Sequence, residues 1–145
     1  MSTRANVITF GIISGLIWSV VPGSLNDLFR SKESILVIAA GALTGIAVSL
    51  ALKAPLTKLG RWPTLLLGML SLPFGAFIFG VIFSLLDLSN WLNGSQYGIF
   101  NVFLIGGYYA LVSVVSTFAV VLFPLAVVTT FTLRAVIYSS EKQTR

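Results

Sequence analysis

The chain has 145 residues, 57% of them hydrophobic and 9% charged, whereas a soluble domain carries roughly a quarter charged residues. That ratio excludes an ordinary water-soluble fold, because a domain of this size has too little interior to hide so much apolar surface. The net charge of +5 comes from nine cationic and four acidic side chains, too scattered for a nucleic-acid surface, so nucleic acid is not expected as a partner.

Long uncharged runs set the organisation. Ala5 to Asn26, Ser34 to Leu52, Trp62 to Leu86 and Leu88 to Leu133 carry no charge. A strand of a membrane barrel would alternate polar and apolar residues, and an open sheet in hydrocarbon would leave backbone groups unpaired, so these runs read as helices. The expected fold is all-α: an integral membrane four-helix bundle forming a single domain over residues 1–145.

The first span is placed at about 5–22. Arg4 before an apolar stretch resembles a signal peptide, but the stretch is longer than an ordinary signal core and no small-residue cleavage site follows, so it is read as a helix that stays. An outer loop covers about 23–33. The second span, 34–52, is followed by an inner loop at 53–61 holding Lys53, Pro55, Lys58 and Arg61, and the third span takes 62–86.

The last run is too long for one crossing, which needs about 20 residues. Its first part, Leu88 to Gly98, is rich in Asn, Ser, Gln and Gly and reads as an outer loop, about 87–98, with Asn93-Gly94 as a turn. Asn93-Gly94-Ser95 also matches a glycosylation acceptor, which has meaning only in a eukaryotic source. The fourth span is then one helix over 99–133, with Pro124 as the place for a kink.

Seven of the nine cationic residues (Arg4, Lys53, Lys58, Arg61, Arg134, Lys142 and Arg145) fall on one side of this arrangement. By the positive-inside rule that side is cytoplasmic, giving both termini inside and a multi-pass protein of a bacterial inner, or plasma, membrane. Trp18, Trp62, Trp91 and the tyrosines 97, 108, 109 and 138 lie mostly near span ends and read as interfacial anchors.

In lipid, helices associate through close van der Waals contact, which small residues permit. Stripes at four-residue spacing mark the expected packing faces: Gly11 and Gly15; Gly41, Gly45 and Ser49; Ala76, Gly80 and Ser84; Gly106 and Ala110. They serve either packing within the chain or association with a copy of it.

Chemistry is sparse. With no His and no Cys there is no imidazole base and no thiolate, and Asp27, Glu33, Asp87 and Glu141 form no catalytic spacing, so no enzyme activity, metal or cofactor is expected. No charge lies within a span, which disfavours ion-coupled transport. Ser113, Ser116 and Thr117 share one face of the fourth span and could make a polar stripe, although such hydroxyls commonly bond back to their own helix. The other spans hold only isolated hydroxyls such as Ser14, Thr44 and Ser71, too few for a pore built from one copy.

The expected function is therefore that of an accessory, scaffold or inhibitory subunit. Its partners are the lipid bilayer and another integral membrane protein or copies of itself. The alternative is a small homo-oligomeric channel, carrier or holin-like pore former. For topology, reporter fusions after Arg145 and near Lys58 are expected to read as cytoplasmic and one near Gly94 as external; a C-terminal fusion reporting the outer side would overturn the four-span assignment.

Overall fold

A computed structural model describes residues 3–25, 34–87, 99–116 and 119–143, with the side chains of 21–25, Ile99 and Gln143 left aside. The outer-loop features around Asp27, Trp91, Asn93 and Tyr97, and Thr117 of the polar stripe, lie outside the described residues. Five helices are described: α1 Thr3–Leu25, α2 Ser34–Lys58, α3 Arg61–Leu86, α4 Ile99–Val115 and α5 Ala119–Gln143. Four of them, α1, α2, α3 and α5, are long and apolar enough to cross a membrane, as expected of a multi-pass membrane protein; α4 is shorter.

Helix ends differ from the limits of the uncharged runs. The stretch 53–61, expected as a loop, is mostly helix: α2 continues through Pro55 to Lys58, and only Leu59 and Gly60 separate it from α3. Charge marks where hydrocarbon ends. A helix whose backbone bonds are already internal continues past that point into the polar interface, where Lys side chains can reach water.

The single helix expected over 99–133 is two helices. The chain breaks after Val115, not at Pro124, and α5 runs ten residues past Leu133. At the break the Ser116 amide still donates to the Val112 carbonyl at 2.9 Å, and the Ala119 amide donates to the Ser116 carbonyl at 2.9 Å in a tighter turn. Val114, Val115 and Ser116 are weak helix formers. α5 accommodates Pro124 inside the helix, past its first turn, at the cost of one backbone bond.

Side-chain contacts fix the registers. Gly11 meets Gly45 and Gly15 meets Gly41, so α1 and α2 run antiparallel. Val37 and Ala40 pack with Phe79, Ile82, Phe83 and Leu86, which sets α3 antiparallel to α2. Thr64 meets Arg134 and Leu72 meets Leu122 and Ala126, so α5 is antiparallel to α3. Asn6 donates to Ser140 at 2.7 Å, joining α1 to the far end of α5. The start of α1, the end of α2, the start of α3 and the end of α5 thus share one end of the molecule, where Val7, Leu52, Leu56, Leu133 and Ile137 form an apolar cluster. α4 packs against α3 through Gly80 and Gly106.

The α1–α2 contact is made by backbone. A methyl group on Gly45 would overlap the Gly11 carbonyl oxygen and lie 2.7 Å from the Gly15 Cα, and one on Gly15 would overlap the Gly41 carbonyl oxygen. No rotamer relieves such overlap, so the helices must separate. Gly45→Leu is expected to destabilise the protein by about 3 kcal/mol, the upper end of ordinary overpacking. Ile35→Ala, at a position 76% exposed, should lower the unfolding midpoint in detergent far less. Equal midpoints for Gly45→Leu and the parent would exclude this contact.

Arg134 fastens the α2–α3 turn. Its Nη2 donates to the Leu59 carbonyl at 2.7 Å, and its Nη1 donates to the Thr64 hydroxyl at 2.8 Å and the Gly60 carbonyl at 3.2 Å. The guanidinium also lies 5.5 Å from the centre of the Tyr138 ring. The guanidinium satisfies the Leu59 carbonyl just past the end of α2 and complements the dipole of that end. Arg134→Met, which keeps the stem and loses the donors, is expected to cost about 1–2 kcal/mol. Arg134→Lys should recover only part of that, because a single ammonium cannot span the fork. Unfolding midpoints for the two variants check the order.

Candidate functional site: a hydroxyl-lined chamber

Between the helices lies a cavity of about 450 Å³, lined by residues of all five helices. It reaches Leu52 and Leu133 of the apolar cluster at the shared end, and Phe79 of the cluster made with Val37 and Ala40 towards the other end. No Lys, Arg, Asp or Glu is among the described lining residues.

Nine serine and threonine residues line it: Ser14 and Ser19 from α1, Thr44 and Ser49 from α2, Ser71 from α3, Ser113 from α4, Ser116 at the break, and Thr129 and Thr130 from α5. The hydroxyls that read as isolated along the sequence therefore converge in space. Each of the first three helices carries them beside its glycines: Ser19 is four residues from Gly15, Thr44 three from Gly41, Ser49 four from Gly45 and Ser71 three from Gly68. Residues three and four apart share a helix face, so the stripe that brings two helices together also turns its hydroxyls towards the interior. That spacing was the available signal.

Most of these hydroxyls donate to their own helix. Ser14, Ser19, Ser71, Ser113, Thr129 and Thr130 each bond the carbonyl three or four residues back, at 2.7–3.2 Å. Cross-helix contacts are longer: Trp18 Nε1 donates to Thr129 Oγ1 at 3.4 Å, and Ser71 and Thr130 hydroxyls lie 3.4 Å apart. Thr44 and Ser116 differ. Their hydroxyl oxygens are buried and have no hydrogen-bond partner among the described residues. Leaving a buried hydroxyl unsatisfied costs about 1–3 kcal/mol.

Of the polar face expected on the fourth span, Ser113 and Ser116 both reach the chamber. The expected packing residues are placed as follows. Gly11, Gly15, Gly41 and Gly45 form the α1–α2 contact, and Ser49, only 3% exposed, continues that stripe into the chamber wall. Gly80 faces Gly106, where a methyl group would lie 2.8 Å from the Gly106 Cα. Ala76 lines the chamber, Ser84 is half-buried, and Ala110 supplies the carbonyl that Ser113 bonds. One close contact was missed, Gly68 against Val127, where a methyl would lie 2.9 Å from the Val127 Cα. Thr64 and Gly68 at four-residue spacing were its sequence signal.

Two aromatic residues expected as anchors serve the interior. Trp18 is half-buried and lines the chamber, and Tyr109 packs edge-on against Phe79 with ring centres 5.5 Å apart. Trp62, 80% exposed at the start of α3, keeps the exposure of an anchor.

No protein-family model, characterised protein or solved structure matches the chain.

Proposed function

We propose that the protein is a multi-pass membrane carrier, a helix bundle with both termini in the cytoplasm, that passes a small uncharged solute through its interior chamber. The observation that carries this reading is the convergence of nine hydroxyls from every helix and the helix break on one charge-free cavity. Packing alone would fill such a volume with apolar side chains. The lack of any lining charge argues against an ion as cargo, since nothing there offsets its desolvation.

The orientation is supported by the fold's charge distribution. The described cations Arg4, Lys53, Lys58, Arg61, Arg134 and Lys142 all belong to the helix segments that share one end, whereas Asp87 closes the opposite end of α3. A basic end faces the cytoplasm.

Gly75 gives a direct test. It lines the chamber, and a methyl group there would meet only Val48 Cγ2, at 3.8 Å. Gly75→Leu should therefore fill the chamber without parting the helices. Vesicles holding the purified protein are expected to swell in glycerol or erythritol faster than protein-free vesicles and to lose most of that gain with Gly75→Leu, with no added permeability to sodium or chloride. Absence of flux for every solute would make the accessory or inhibitory subunit the better reading, to be pursued through what co-purifies in mild detergent.

A further inference from the structure

We infer that the chamber selects solutes rich in hydrogen-bond donors, a neutral polyol being the fitting class; this rests on the carrier reading and names its cargo. The argument is a count of protons. A hydroxyl has one proton and two lone pairs. Six chamber hydroxyls (Ser14, Ser19, Ser71, Ser113, Thr129 and Thr130) direct their proton to a carbonyl of their own helix. What these six present to the cavity is lone pairs. The Thr44 and Ser116 hydroxyls donate to no described group, but their oxygens are buried and offer the cavity no surface.

The wall is therefore an excess of acceptors set among apolar and aromatic groups. A solute with several O–H groups satisfies it, because each hydroxyl donates to a wall oxygen, and its C–H face lies against Phe10, Trp18 and Leu72. An ether or ketone of equal size brings only acceptors and leaves those lone pairs unmatched. A cation would find oxygens but no carboxylate, and its charge would stay uncompensated in an apolar surround. A polyol also needs a carrier, since a bilayer core offers its hydroxyls no partners.

Trp18 is a built-in reporter, because it lines the chamber and bonds Thr129. Replacing Trp62 and Trp91 by Phe leaves it as the single indole. In detergent, erythritol is expected to change Trp18 emission saturably. 1,2-Dimethoxyethane and sodium ions should bind at least about tenfold more weakly, the loss of roughly one good hydrogen bond. Ser14→Ala with Ser113→Ala, which removes two of the wall's acceptor oxygens, should weaken erythritol by about the same factor. If the double variant fails to fold, Ser113→Ala alone, away from the α1–α2 contact, gives the same comparison.

Equal responses to erythritol and dimethoxyethane, a linear unsaturable response, or tighter binding of sodium would each overturn the inference. Saturable erythritol binding without vesicle flux would uphold the site and overturn the carrier reading. Flux of urea with no erythritol binding would do the reverse.

Discussion

The contact of two helix backbones at Gly11, Gly15, Gly41 and Gly45 underlies the arrangement of everything else. Lipid tails are as apolar as leucine, so burying leucine between helices gains little in a bilayer. Association has to come from dense contact and hydrogen bonds. The four glycines supply the density, bringing carbonyl oxygens of one helix against the Cα atoms of the next. Gly68 against Val127 and Gly80 against Gly106 repeat the device for α5 and α4 on either half of α3. Seams this tight have a geometric consequence. Where one face of a helix is drawn fully into its neighbour, the adjacent face is turned inward at a fixed angle, and in α1, α2 and α3 that adjacent face carries hydroxyls.

Those hydroxyls can lie in an apolar interior without a network because the helix itself accepts their protons. Back-bonding satisfies Ser14, Ser19, Ser71, Ser113, Thr129 and Thr130 with no partner from another helix. The chamber therefore does not depend on cross-helix hydrogen bonds to remain folded, and the two that occur are long, at 3.4 Å. A cavity held open by tight glycine seams elsewhere, and not by bonds across it, leaves the lone pairs of its hydroxyls available. Thr44 and Ser116 mark where this self-sufficiency fails, and Ser116 does so at the point where the helix is interrupted.

Much of the fold was legible because charge is nearly forbidden in hydrocarbon. Arg4, Lys53, Arg61, Asp87 and Arg134 bound the apolar runs, and a chain with so few charges leaves little room for other assignments. Helix ends were not legible in the same way. Charge reports the bilayer boundary, whereas Lys58 and Gln143 close helices that continue beyond it. The break at Ser116 was hidden by Pro124, the stronger local signal, which α5 accommodates inside the helix while the weak helix formers Val114, Val115 and Ser116 lie at the break. The chamber was hidden for another reason. Ser14, Thr44 and Ser71 are far apart in sequence and unremarkable singly, and only the registers set by the glycines bring them to one place.

The helices meet by different kinds of contact at the two ends of the chamber. At the basic end, Leu52, Leu56, Leu133 and Ile137 are backed by directional bonds: Arg134 holds the α2–α3 turn and Asn6 holds Ser140. Opening there means breaking charge-assisted hydrogen bonds to carbonyls, with few intermediate positions between made and lost. At the other end, Val37 and Ala40 meet Phe79, which stacks on Phe83 and takes Tyr109 edge-on. Aromatic contacts of this kind tolerate sliding, since their attraction varies gently with offset. α4, which carries Tyr109, and α5 are separate helices. The bonds at the basic end therefore fix the helices in direction, whereas the ring contacts at the other end fix them mainly in spacing.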